Sequence, residues 1–144
     1  MNSPPQGWPR ILSTLFYDDA KAAISWLTKN FGFEVRLKVE GDNGQVVHSQ
    51  LTLDDELIMV GQAGLTPERP FCKSPRGRGG ANTQALCVFV DDADAHCDRA
   101  RQAGATINAE PATQDYGEDY WADRSYEAVD LEGHHCWFMQ RVRG

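Results

Sequence analysis

The sequence predicts an α+β fold made of two tandem β-α-β-β-β modules. The first observation is an internal repeat, LFYDDAKAAISWLTKNFGF at residues 15–33 and VFVDDADAHCDRARQAGA at residues 88–105. Each copy has an apolar run, an Asp-Asp-Ala start, a helical pattern and a closing Gly. The second observation is that strand-like runs separated by turn sequences follow each helix. Two such modules side by side predict a cupped, mixed, eight-stranded sheet with the helices outside.

Each predicted helix begins at an Asp pair and ends at a glycine. Asp18-Asp19 and Asp91-Asp92 stand at the N-cap and first turn, where a carboxylate accepts hydrogen bonds from unpaired backbone N–H groups. Gly32 and Gly104 stand where the two helical patterns stop. We therefore expect these acids to be helix caps rather than catalytic groups.

The strand runs and the linker define the predicted organisation. The predicted strands cover 33–39, 46–53 and 57–60 in the first half, and 106–107, 125–131 and 134–140 in the second. The 144 residues are predicted to form one domain, with module 1 at about 10–61, a linker at 62–83 and module 2 at about 84–141. The linker is either a connection or a flap over a site, and its basic part, 73–80, is either a mobile loop or an anion clamp.

Composition narrows the classes of function. A net charge of -7 argues against nucleic acid as a partner, because phosphate binding requires a basic face. No apolar run approaches the roughly 20 residues that span a bilayer, and no secretion signal is visible, so we expect a cytoplasmic protein without membrane contact. The four cysteines have no CxxC spacing and are expected to be reduced thiols.

A motif near the C-terminus, together with the repeat, indicates a resemblance to a known family. It reads Trp121-Ala122-Asp123-Arg124-Ser125-Tyr126, followed by Asp130-Leu131-Glu132-Gly133-His134. With the paired modules, it resembles the vicinal oxygen chelate superfamily, which includes glyoxalase I, extradiol dioxygenases and bleomycin resistance proteins. The bleomycin-resistance or PhnB-like branch is the most similar. The resemblance implies a homodimer in which the partner subunit completes each cup.

Members of this superfamily that do chemistry hold a divalent metal with His, Gln or Glu from four strands. The resemblance places those positions at Leu12 or Ser13, Met59 or Val60, Ala85 with Gln84 beside it, and Trp137. Only Gln84 could be a ligand, and only with a one-residue shift, which turns a strand side chain to the opposite face. We therefore predict no metal site and no cofactor. His48 and Gln84 are the remaining candidates for metal ligands.

Without a metal, the predicted site is an aromatic cup. We expect a planar ligand to stack on Trp121 and Trp137, with Tyr120 nearby and His48, Gln50 and Tyr126 as polar contacts. Tyr126 is included because it is expected to occupy the position in module 2 that His48 occupies in module 1. Acidic residues around the aromatic side chains favour a cationic ligand; they are Asp115, Glu118, Asp119 and Asp123.

The predicted function is small-molecule binding and sequestration of the bleomycin-resistance type, with no catalytic residue and a homodimeric state. One alternative is a metal-dependent lyase or dioxygenase that uses an irregular ligand set including His48 or Gln84. Another is a structural or regulatory dimer whose cup is filled by its own side chains. Of the adjacent His134 and His135, only one can face the cup, because neighbouring strand residues point to opposite faces.

Overall fold

The computed structural model describes residues 1–144 and contains eight strands and two α-helices. The first module contains β1 (Thr14–Tyr17), α1 (Ala20–Phe31), β2 (Glu34–Glu40), β3 (Val46–Leu53) and β4 (Glu56–Gln62). The second contains β5 (Leu86–Phe89), α2 (Ala93–Ala103), β6 (Thr106–Asp115), β7 (Ala122–Val129) and β8 (His135–Arg143). A short 3₁₀ helix, Pro75–Arg78, lies between the modules.

The strands pair in the same way in both modules. The first sheet has the order β1-β4-β3-β2 and the second has the order β5-β8-β7-β6, with the first pair parallel and the others antiparallel. The predicted α+β fold of two β-α-β-β-β modules is confirmed, as two four-stranded sheets that no hydrogen-bonded ladder joins. Neither helix is long and apolar enough to cross a membrane.

The predicted helix caps are confirmed. Asp19 Oδ1 accepts a hydrogen bond from Ala22 N at 3.0 Å, and Asp92 Oδ1 accepts one from Ala95 N at 2.9 Å. The helices end at Gly32 (φ 82°) and Gly104 (φ 108°), in the left-handed region that glycine adopts without steric cost. The repeated Asp-Asp-Ala and Gly signals thus fix where each helix begins and ends.

One hydrophobic core lies between the helices and the sheet faces that carry them. Alternation along β1 and β8 turns Leu15, Tyr17, Cys136 and Phe138 toward the helices, where they belong to a cluster of 18 buried residues from both modules. The Phe31 ring of α1 packs on Phe138 of β8, with ring centroids 4.8 Å apart. The opposite face of each sheet carries no helix, and we call it the open face.

A turn between β7 and β8 joins the two modules through buried carboxylates. Glu132, which is 3% exposed, accepts hydrogen bonds from the backbone N–H groups of Asp18 (2.6 Å) and Asp19 (2.9 Å) and from Ser74 Oγ (2.7 Å). Asp130 accepts a hydrogen bond from the Tyr17 hydroxyl at 2.5 Å. Burial, and then the charge of Asp130, raise the pKa of Tyr17 well above its ordinary value. The turn therefore holds β1 and the start of α1 in place.

The same turn anchors the predicted linker. Arg76 donates to Leu131 O (3.1 Å), Asn82 Nδ2 donates to Gly133 O (2.8 Å), and Ser74 bonds to Glu132. The segment between β4 and β5 is thus attached to module 2 at three points, although it lacks regular secondary structure apart from the 3₁₀ helix.

Replacing Glu132 with Ala should destabilise the fold strongly. Two backbone N–H groups and one hydroxyl would lose their shared acceptor in a buried setting, at a cost of about 3 kcal/mol in the free energy of unfolding. Urea denaturation measures this change. The control is Glu118→Ala, at an exposed turn position, which should change stability by less than about 0.5 kcal/mol. Equal losses in the two variants would contradict the role assigned to Glu132.

Candidate functional site

The strand registers place equivalent residues of the two modules on the open faces. In module 1, Gln50 pairs with Met59, and Met59 pairs with Thr14. In module 2, Glu127 pairs with Trp137, and Trp137 pairs with Cys87. The two rows are therefore equivalent, and Met59 and Trp137 occupy matching central positions.

Trp137 lies beside a hydrogen-bonded pair, Glu127 and His135, on the open face of module 2. Its cross-strand neighbour Glu127 is only 9% exposed and accepts hydrogen bonds from His135 Nδ1 and from Asn108 Nδ2 (3.1 Å). Burial raises the pKa of the Glu127 carboxyl, but the hydrogen bonds from His135 and Asn108 outweigh it and hold the pKa below its ordinary value. Because Nδ1 is engaged by Glu127, the second ring nitrogen of His135, Nε2, remains available to a ligand.

The corresponding polar pair in module 1 is satisfied internally. Gln50 Nε2 donates to His48 Nε2 at 2.8 Å, and Gln50 is 5% exposed. His48 and Gln50 lie on the open face as predicted, since Gln50 pairs with Met59 and His48 with Val39 of β2. Their mutual hydrogen bond leaves fewer groups for a ligand than the Glu127–His135 pair does.

The prediction that Tyr126 lies in the cup is wrong. Tyr126 is fully buried in the core, where its hydroxyl bonds to His96 Nδ1 of α2 at 2.6 Å and its ring stacks on Phe138. The strand registers match His48 with Ser125, one residue earlier, and a one-residue offset exchanges the two faces of a strand.

Trp121 and Tyr120 lie at the far end of the module 2 sheet. The Arg141 guanidinium stands over the rings of both Trp121 (5.1 Å) and Phe89 (5.3 Å), and Arg141 also bonds to Asp123 (2.6 Å). Arg141 is four residues beyond Trp137 along β8, which is about 13 Å at the rise of a strand. One planar ligand therefore cannot stack fully on both tryptophans. In addition, the Arg141 guanidinium already lies over the Trp121 ring. Tyr120 is exposed and meets Trp121 edge to face.

The residues at the expected metal positions do not fit a divalent ion. Met59 and Trp137 occupy the fourth and eighth strands, and neither side chain is a hard ligand. No group of three or more His, Cys, Asp or Glu side chains is arranged to hold a metal. Of the two remaining candidates, His48 bonds to Gln50, and Gln84 lines a pocket beside the linker to which His48 does not contribute.

The sequence did not single out Glu127, His135 and Cys87 as a group. Cys87 is exposed on the open face beside Trp137. Strict alternation along β8 from the buried Phe138 would have placed Trp137 and His135 on one face. The hydrogen bond between Glu127 and His135 depends on the β7–β8 register, which the sequence did not define.

Comparison with known proteins identifies the family. Residues 10–136 match the family model described as the Glyoxalase/Bleomycin resistance protein/Dioxygenase superfamily. An uncharacterized protein of Mycobacterium bovis is 31% identical over 137 residues, which cover 94% of this chain and 85% of that protein. A 4-hydroxyphenylpyruvate dioxygenase of Caenorhabditis elegans is 27% identical over 114 residues, but the match spans only 28% of that enzyme.

Solved structures share the whole fold. TioX from Micromonospora sp. ML1 has a TM-score of 0.72 and 29% identity, with 93% of this chain and 99% of TioX covered. TnmS3, an antibiotic binding protein from Streptomyces sp. CB03234, has a TM-score of 0.63 and 18% identity, with 91% of this chain and 93% of TnmS3 covered. The chain belongs to the glyoxalase/bleomycin resistance protein/dioxygenase superfamily.

The placement of Tyr126 beside His96 predicts a pH dependence of stability. Burial lowers the pKa of His96, which donates from Nε2 to Phe31 O (2.9 Å) and accepts from Tyr126. The unfolded chain takes up this proton below about pH 6.5, whereas the folded chain resists it, so stability is lost as pH falls. Between about pH 7.5 and 5.5, the free energy of unfolding should fall more in the wild type than in His96→Gln. Urea denaturation at both pH values tests this, and equal slopes would refute it.

Proposed function

We propose that this chain binds a planar aromatic small molecule on the open face of module 2 and sequesters it without altering it. The observation that carries the proposal is the partly exposed Trp137 ring beside the Glu127–His135 pair. An aromatic ring lying on Trp137 gains stacking energy at a small cost in conformational entropy. A hydroxyl or N–H group on that ring could donate a hydrogen bond to His135 Nε2, which would fix the orientation of the ligand.

The structure gives no reason to prefer a cationic ligand. Asp123 is paired with Arg141, and Asp115 is paired with Arg143. These arginines neutralise two of the four acids on which the expectation rested, and Arg141 already occupies the face of Trp121. We therefore propose a neutral planar ligand, with Trp137 as the principal stacking surface and Trp121 in a minor role.

Antibiotic binding is a role that this fold carries elsewhere, in TnmS3. The alternative proposal, suggested by the family, is metal-dependent lyase or dioxygenase chemistry. Met59 and Trp137 do not supply metal ligands for such a reaction.

We also propose that a second copy of the chain completes the site. Leu37 and Val39 of β2 pair with Gln50 and His48 and are each 41% exposed. Phe89, on the module 2 open face, is 58% exposed. Apolar side chains on a sheet face without a helix are available for contact with another chain. In such a dimer, one open face would form the wall opposite the other.

Replacing Trp137 with Ala should weaken the binding of acridone, a neutral planar probe, by roughly tenfold or more, because the stacking surface is lost. Isothermal titration calorimetry measures the change, and circular dichroism checks the fold. Trp121→Ala should have a smaller effect because Arg141 covers that ring. Trp8→Ala, which removes a tryptophan of the N-terminal segment over which Arg36 lies, is the control and should leave binding unchanged. Equal affinities for the wild type and Trp137→Ala would refute the site.

Replacing Leu37 with Asp should shift the protein from dimer toward monomer, because a carboxylate would be placed in the proposed interface. Sedimentation equilibrium measures the association constant. Val35→Asp is a matched control, since Val35 lies on the same strand, is 46% exposed and pairs with the core residue Leu51. A wild-type protein that is monomeric at all concentrations would overturn the dimer proposal.

A further inference from the structure

A cavity lies between β1 and the linker, away from the Trp137 side chain. Its volume is about 470 Å³, within the range of small-molecule sites. Thr14 and Phe16 of β1 form one side, and the linker forms the other. We call it the linker pocket. Because Ser74 and Asn82, which line it, are both bonded to the β7–β8 turn, the pocket is formed before any ligand binds.

The linker pocket is strongly cationic in an acidic protein. Arg69, Lys73 and Arg78 line it, and no Asp or Glu does, although the chain has 21 acidic and 14 basic residues. None of the seven ion pairs of the structure includes any of these three cations. The carboxylate bonded to the pocket wall, Glu132, is already engaged by Ser74 and two backbone N–H groups. The positive charge of the pocket is therefore available to a ligand.

Two aromatic rings flank one of these cations, Arg69. The Arg69 guanidinium lies 5.9 Å from the centroid of the Phe16 ring and 5.6 Å from that of the Phe71 ring. Phe71 is 70% exposed, so one edge of the pocket has an uncovered apolar surface. A ligand that carries an anionic group and an apolar ring would match both features.

We propose that the linker pocket is a binding site for a small organic oxyanion, such as an aryl phosphonate or phosphate. Arg69, Lys73 and Arg78 would bind the oxyanion, with the guanidinium groups donating in pairs to its oxygens. Phe16 and Phe71 would contact the apolar part. This site is independent of the Trp137 site and of the proposed sequestration function.

The test uses phenylphosphonate, inorganic phosphate and benzylamine with the full-length protein, measured by isothermal titration calorimetry at low salt. We expect phenylphosphonate to bind more tightly than phosphate, and benzylamine not to bind. Arg69→Gln combined with Arg78→Gln should weaken phenylphosphonate binding at least about tenfold, because two charged donors are lost. Both residues are exposed, so the variant should fold.

Lys21→Gln combined with Lys29→Gln is the matched control, since it removes two positive charges from exposed positions on α1 outside the pocket. It should leave the affinity unchanged, and so should Trp137→Ala. The proposal is overturned if phenylphosphonate does not bind, if the double variant binds it as well as the wild type does, or if benzylamine binds equally. Phosphate that binds as tightly as phenylphosphonate would overturn the role of Phe16 and Phe71.

Discussion

The buried carboxylates of the β7–β8 turn hold the two modules and the linker together. Glu132 bonds to the residues that precede α1 and to Ser74 of the linker, while Asp130 bonds to Tyr17 at the end of β1. Asp130 also accepts hydrogen bonds from the backbone N–H groups of Glu132 and His134. These bonds stabilise the conformation of the turn itself. A charged group this deeply buried is stable only when its acceptors are satisfied, and here hydrogen-bond donors from three separate segments satisfy them. One turn thus fixes how the two modules and the linker meet.

This arrangement explains why the candidate sites lie where they do. Both helices pack against the helix-facing side chains of the sheets in the shared core. The open faces and the linker pocket therefore remain accessible to ligands. Alternation along β8 separates the two roles residue by residue: Phe138 packs in the core and Trp137 faces away from it. The open faces also differ from each other. In module 1 the polar pair is closed on itself, whereas in module 2 the Glu127–His135 pair leaves one ring nitrogen available.

The sequence predicted local structure well because its signals are local. The Asp-Asp-Ala starts and the closing glycines specify caps within one helical turn, and their repetition revealed the two modules. The side-chain contacts across the sheet were harder to predict. Bulges in the β2–β3 and β6–β7 ladders make the strand register hard to predict from the sequence. An error of one residue in the register placed Tyr126 in the predicted cup, although it lies in the core. The role of Glu132 depends on residues more than 100 positions away in the chain, and no local pattern reports such a contact.

We expect ligands to bind on the open faces rather than within the helix-packed core. Methionine methyl NMR tests it directly, because the chain has three methionines, of which Met59 and Met139 lie on the open faces and Met1 at the N-terminus. Met139 is two residues from Trp137 on the same face of β8. Titration with acridone should shift the Met139 methyl resonance through the ring current of the bound probe and leave Met1 unchanged. Saturating binding that shifts the methyl resonance of neither Met59 nor Met139 would show that the ligand does not bind on an open face.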